Sequence, residues 1–134
     1  LVVSSAPPEV SGHQSLRVAT VVLADYHFLG KRLVDASLIA SGIRPIDYGR
    51  MELMPLARRV IDEVPDVLMI SVLMLPSALL VGALTSQLKE AGCRTKVVVG
   101  GAPFRLDPGL WKFVGADAMG RSAAEAGTLA REVR

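Results

Sequence analysis

Only two of the 134 residues are histidines, and one of them has neighbours suited to chemistry. His27 follows Asp25 by two positions and precedes Gly30 by three, directly after the apolar run VVLA. A carboxylate so placed can accept the proton of one imidazole nitrogen and leave the other free to bind a metal or to act as a base. Two further clusters also end apolar runs: Ser71-x-Leu73 after DVLMI, and Gly100-Gly101 after TKVVV. A zinc site needs three or four nitrogen, sulfur or oxygen ligands, and only Asp25 and His27 are good ones near by. A triad of Ser71, His27 and Asp25 lacks the strand-to-helix elbow that activates a serine. A metal that arrives inside a macrocycle, with its equatorial positions already filled, needs just one protein imidazole.

The elements that must position these clusters follow from hydrophobic periodicity. Residues 1–16 hold the Pro, Ser and Gly of a linker or disordered lead-in, and the solvated His13 falls there; without an initiator Met, an upstream part is expected. The domain then runs over 17–134. RVATVVLA, residues 17–24, is a continuous β-branched run, the pattern of a strand covered on both faces. VDASLIASG reads as a helix closing at Gly42, and IRPIDYG as a short second strand. Pro55 suits a first helical turn, with Leu56, Ala57, Val60, Ile61 and Val64 at helical spacing until Pro65. DVLMIS is a third strand, and Leu80, Leu84 and Leu88 give one face of a third helix ending at Gly92. TKVVVGG is a fourth strand, and Asp107 with Pro108 opens a short helix carrying Leu110, Phe113 and a packed Trp111. GADAMG is a weak fifth strand, and Ser122 with Glu125 predicts a capping box on the last helix. Alternating β-α units require parallel strands and right-handed crossovers. The expectation is an α/β, flavodoxin-like (Rossmann-like) five-stranded parallel sheet of order 2-1-3-4-5 with helices on both faces. Such a sheet binds ligands beyond the carboxyl ends of its strands, at the switch between strands 1 and 3. All three clusters lie on that edge.

Composition narrows the alternatives. Apolar residues at 51% and charged residues at 21% suit a packed core, and a formal charge of +2 with scattered basic residues argues against nucleic-acid binding. No apolar stretch is long enough to span a membrane and no signal-peptide pattern opens the chain, so a soluble cytoplasmic protein is expected. The single Cys93 excludes an internal disulfide. A phosphorylated receiver domain needs a carboxylate where strand 3 ends in Ser71. A flavodoxin needs a hydroxyl-rich phosphate loop where this chain has DYHFLG, and the dinucleotide Gly-x-Gly-x-x-Gly is absent.

Taken in order, Asp25-x-His27-x-x-Gly30, Ser71-x-Leu73 and Gly100-Gly101 resemble the cobalamin-binding domain of the methionine-synthase, corrinoid-methyltransferase and mutase group, over residues 17–134. SVLMLPS and VVGGAPF resemble the corrinoid proteins of methyltransferase systems more than the mutases. The resemblance implies cobalamin bound base-off/His-on: the dimethylbenzimidazole tail off cobalt and inserted at the sheet edge, His27 in the lower axial position, and Asp25 tuning it. It implies that Gly30 lets a turn pass close to the corrin, Ser71 hydrogen-bonds the tail's base, Leu73 walls the slot, and Gly100 and Gly101 leave room for the nucleotide. Tyr26 and Phe28 flank His27 as candidate corrin contacts, at least one of them expected to pack without touching the cofactor. The pattern departs at Phe28, where methyltransferase carriers usually have Asp, at Arg32 for a common Asn, and at Leu75 for Thr, while Lys31 is retained. The implied role is a methyl-group carrier, not a complete enzyme, working with methyltransferase partner enzymes or beneath an upstream helical cap domain. The alternatives are a cobalamin-dependent, in some cases light-responsive, sensor domain of a transcriptional regulator, and the small portion of a mutase. Homo-oligomerisation stays open.

Overall fold

The structure is a computed structural model described over residues 15–134; residues 1–14 of the expected lead-in, with His13, lie outside the described residues. The β-branched run forms β1, Val18–Leu23, and all of its residues are buried. It pairs in parallel with β2 (Ile46–Met51) and β3 (Val67–Ser71), which continues in parallel to β4 (Lys96–Gly100) and β5 (Ala118–Gly120). The spatial order is β2-β1-β3-β4-β5, the 2-1-3-4-5 order expected.

Side chains alternate across the sheet. Ala19, Val21 and Leu23 face a larger core with Leu56 and Val60 of α2 (Leu53–Glu63), Leu84 of α3 (Leu75–Glu90), Phe104 of α4 (Ala102–Leu106) and Leu110 of α5 (Leu110–Phe113). Val18, Met69 and Val98 face a smaller core closed by Leu38 of α1 (Leu29–Ala40) and Ala126 and Ala130 of α6 (Ala126–Val133). Register then does the functional work. Ser71 lies opposite Gly100, and Gly100 opposite Gly120, so three strands end in one row of small residues.

Three local expectations are corrected, and one short helix has no signal in the sequence. The first helix starts at Leu29, so Gly30 sits in its first turn and not on a loop. Phe28 at its N-cap makes no side-chain cap bond, and the buried Lys31 interrupts the apolar periodicity that would announce it. The second strand extends to Met51. Helix α4, with only five residues, is too short for periodicity to reveal. Ser122 makes no side-chain cap bond; a 3-10 turn over Ala123–Glu125 intervenes, and the Glu125 carboxylate accepts instead from the Arg121 N–H at 2.7 Å. No described helix is long and apolar enough to cross a membrane.

Candidate functional site

At the end of β1 the chain turns through Ala24, which adopts φ 50°, an uncommon conformation for a residue with a Cβ. Three hydrogen bonds, two from β2 and one from α3, hold that turn. The Ala24 N–H donates to the Met51 carbonyl at 2.9 Å, its carbonyl accepts from Ser77 Oγ at 2.9 Å, and the Asp25 carbonyl accepts from Arg50 Nε at 2.9 Å. The Arg50 guanidinium also covers the Tyr26 ring at 3.9 Å and pairs with Glu52.

Asp25 is buried, and both of its carboxylate oxygens are fully used. Oδ1 accepts from the Tyr26 N–H at 2.7 Å and the His27 N–H at 3.1 Å, and lies 2.5 Å from His27 Nδ1. Oδ2 accepts from the N–H groups of Leu73 at 2.8 Å and Met74 at 3.0 Å. Burial pushes the Asp25 carboxyl up, but the bonds from His27 and from the Leu73, Met74 and His27 backbone outweigh it and hold the group well below the usual carboxylate range. One carboxylate therefore ties the loop after β1 to the loop after β3. An ionised acceptor facing Nδ1 places the ring proton there, and nothing among the described residues hydrogen-bonds Nε2. The ring is half exposed, with 52% of its side-chain surface open.

His27 lines a mainly apolar cleft of about 640 Å³ between α1, α6 and the ends of β3, β4 and β5. Tyr26, His27, Phe28, Gly30, Ser71, Leu73, Gly100 and Gly101 all line it; Asp25 lies behind His27 and not on the wall. Leu33, Met69, Val98 and Leu129 supply apolar surface, and Arg105 and Ser122 join the lining without a prior sequence signal. The glycines differ in kind. A Cβ on Gly30 would come no closer than 3.9 Å to another residue, and one on Gly100 no closer than 3.8 Å, so the packing demands glycine at neither position. Gly101, at φ 122° and ψ 172°, would place a Cβ 1.8 Å from the Val72 carbonyl oxygen. Its missing side chain is required by the fold, whatever the cleft holds.

The wall formed by the start of α1 is anchored by charge. Lys31 is buried and bonds Asp35 at 2.6 Å and Asp47 at 2.8 Å, while Thr20 Oγ1 donates to Asp35 at 2.6 Å. Burial pulls the Lys31 ammonium down, but its two carboxylate partners more than restore it, so it stays a cation. Among the described residues, no group of three or more His, Cys, Asp or Glu side chains could hold a metal ion.

Neither Arg50 nor Ser77 is legible as part of the site from the sequence, since only the β1–β2 register and the packing of α3 bring them to the turn.

Among known proteins, residues 16–129 match the model of the B12 binding domain family. Trimethylamine corrinoid protein 2 of Methanosarcina mazei is 34% identical over 121 residues, covering 84% of this chain and 54% of that protein. The monomethylamine corrinoid protein of Methanosarcina barkeri superposes with a TM-score of 0.75 at 32% identity, covering 90% of this chain and 59% of that one. At 23% identity, the methanol:cobalamin methyltransferase complex of Methanosarcina barkeri has a chain that shares the fold, with a TM-score of 0.69 over 90% of this chain and 47% of that one. The chain spans about half the length of the curated relatives it matches.

Proposed function

The chain belongs to the B12 binding domain family, and on that premise we propose that it takes the nucleotide tail of cobalamin into its cleft, offers His27 as the lower axial ligand of cobalt, and serves as the methyl-group carrier of a methyltransferase system. When bound, cobalamin would supply the methyl-transfer chemistry, and His27 with the cleft residues would hold it.

The protein's part is to bind, orient and hold a proton. Asp25 keeps the His27 proton on Nδ1, so that the lone pair of Nε2 is left free for a ligand. The five contacts on Asp25 and the bonds on Ala24 and the Asp25 carbonyl fix the loop, so the ring costs little ordering when it binds. Gly30 and Gly100 leave the slot open where the packing would admit a side chain, which fits a flat, bulky base and has no other account in the fold. Ser71, between them, offers a hydroxyl to the tail's base, and Leu73 closes one side. Apolar lining favours burial of the base at roughly 25 cal/mol per Å². Tyr26 is 73% exposed and already carries the Arg50 guanidinium, so it acts as a rim residue, while Phe28 is half-buried in the lining.

The observation that carries this reading is the conjunction of an imidazole whose Nε2 is unbonded among the described residues with an apolar cleft that the same His27 lines together with Gly30 and Gly100. Similarity to proteins named as trimethylamine corrinoid proteins supports the carrier role, with partner methyltransferases as its counterparts. The test is an absorption titration with hydroxocobalamin and methylcobalamin, comparing the chain with His27→Ala. Binding with a shifted spectrum in the parent and loss of that shift in the variant is expected. Identical spectra in the two proteins would remove His27 from the metal, and failure of the parent to bind would remove the function.

A further inference from the structure

Among the described residues, the cleft has one permanently charged side chain. Arg105, in the last turn of α4, lines it, and no Asp, Glu or Lys does. The charged groups closest to the site are already committed elsewhere. Asp25 is used by His27 and backbone N–H groups, Arg50 by the Asp25 carbonyl and Glu52, and Lys31 by Asp35 and Asp47. Arg105 takes part in none of the ion pairs or side-chain hydrogen bonds found among the described residues. A helix of five residues, Ala102–Leu106, offers little dipole to hold a cation at its end.

Arg105 is exposed, yet a guanidinium at the edge of an apolar cleft borders a low-dielectric wall and so favours an anion more than the same group on an open polar surface does. Its planar fork suits phosphate oxygens in particular. Resting on the reading that the cleft receives the nucleotide tail, the ligand brings one such group: the phosphodiester that joins the tail's ribose to the corrin side chain. We infer that Arg105 pairs with this phosphodiester and thereby makes the chain select corrinoids that carry a nucleotide over those that lack one. Arg105 is a specificity residue on this account, since it contacts the tail and leaves the axial nitrogen untouched.

Cobinamide, the corrin without its nucleotide, separates this inference from the reading beneath it. Dissociation constants for cobalamin and cobinamide are measured by absorption titration on the chain, Arg105→Gln and Arg105→Lys, at low and moderate salt, with circular dichroism melts as a folding check. The parent chain should prefer cobalamin. Arg105→Gln should weaken cobalamin roughly two- to fivefold and leave cobinamide unchanged, as expected for loss of one exposed, screened charge pair. Arg105→Lys should fall between, and added salt should weaken cobalamin binding less in Arg105→Gln than in the parent. A parent that prefers cobalamin while Arg105→Gln keeps the same preference overturns the role of Arg105 and leaves the tail in the cleft. A parent that binds both corrinoids equally, or neither, overturns the tail-in-cleft reading and this inference with it.

Discussion

Gly100 and Gly101 are adjacent in sequence, yet alanine at each should have opposite consequences. Gly101 occupies φ 122° and ψ 172°, a region that residues with a Cβ enter only at a cost of about 1–3 kcal/mol. Its added Cβ would also stand 1.8 Å from the Val72 carbonyl oxygen, a backbone atom with no flexible end to move aside. Relieving that overlap displaces the segment after β3, where the Val72 N–H donates to the Gly100 carbonyl at 3.2 Å and the next residue, Leu73, donates to Asp25. Overpacking of this kind costs about 1–3 kcal/mol, so Gly101→Ala should lose about 4 kcal/mol in all. That is a large share of the roughly 5–15 kcal/mol that holds a domain folded. At Gly100 the nearest atom, the Gly120 carbonyl oxygen, would be 3.8 Å from the new Cβ, and the backbone conformation is ordinary. Gly100→Ala should therefore stay within about 0.5 kcal/mol of the parent. It should still cut cobalamin affinity at least about tenfold, because the methyl group occupies the slot. Urea unfolding followed by circular dichroism gives the stabilities, and absorption titration gives the affinities. Parent-like stability of Gly101→Ala would refute the strain argument. Parent-like cobalamin affinity of Gly100→Ala would refute the slot.

Two other substitutions probe the supports of the site. Asp25→Asn keeps the shape, but both carboxylate oxygens already receive N–H donors, so either orientation of the amide sets an NH2 against N–H groups. A loss of about 2–3 kcal/mol in urea unfolding is expected, and a loss below about 0.5 kcal/mol would contradict the hydrogen-bond assignment. Tyr48 is buried and donates to Glu63 at 2.8 Å; burial first, and then the Glu63 carboxylate, push its hydroxyl up to about 12. A raised folded-state value gives stability that is complete below the unfolded tyrosine value of 10.0 and is lost as pH rises toward 12. Stability measured from pH 9 to 12 should thus fall less steeply in Tyr48→Phe than in the parent, and equal slopes would show that Tyr48 does not carry the effect.

The strand-end clusters were legible because period and burial speak plainly in this chain. The β-branched run of β1 announces a strand covered on both faces, and alternating β-α units leave few ways to order five parallel strands. Once the order is known, Asp25, Ser71 and Gly100 must share one edge. What stayed hidden depends on tertiary pairing. The start of α1 is masked by Lys31, whose burial becomes tolerable only when β2 delivers Asp47 beside Asp35. Arg50 and Ser77 reach the turn after β1 from elements distant in sequence, so no local motif contains them. The difference between Gly100 and Gly101 is likewise invisible in the letters, since it arises from where the Val72 carbonyl points.

The central claim is that His27 places Nε2 on cobalt, and electron paramagnetic resonance of the reduced Co(II) form tests it most directly. The chain is produced with natural-abundance histidine and again with 15N-histidine, loaded with unlabelled cobalamin, and compared with His27→Ala. The account predicts that each cobalt line is split into a triplet in the unlabelled protein and a doublet in the 15N protein, with the protein-derived splitting absent from His27→Ala. A triplet that survives 15N labelling would mean that the nitrogen belongs to the cofactor's own base, and the assignment of His27 would fall.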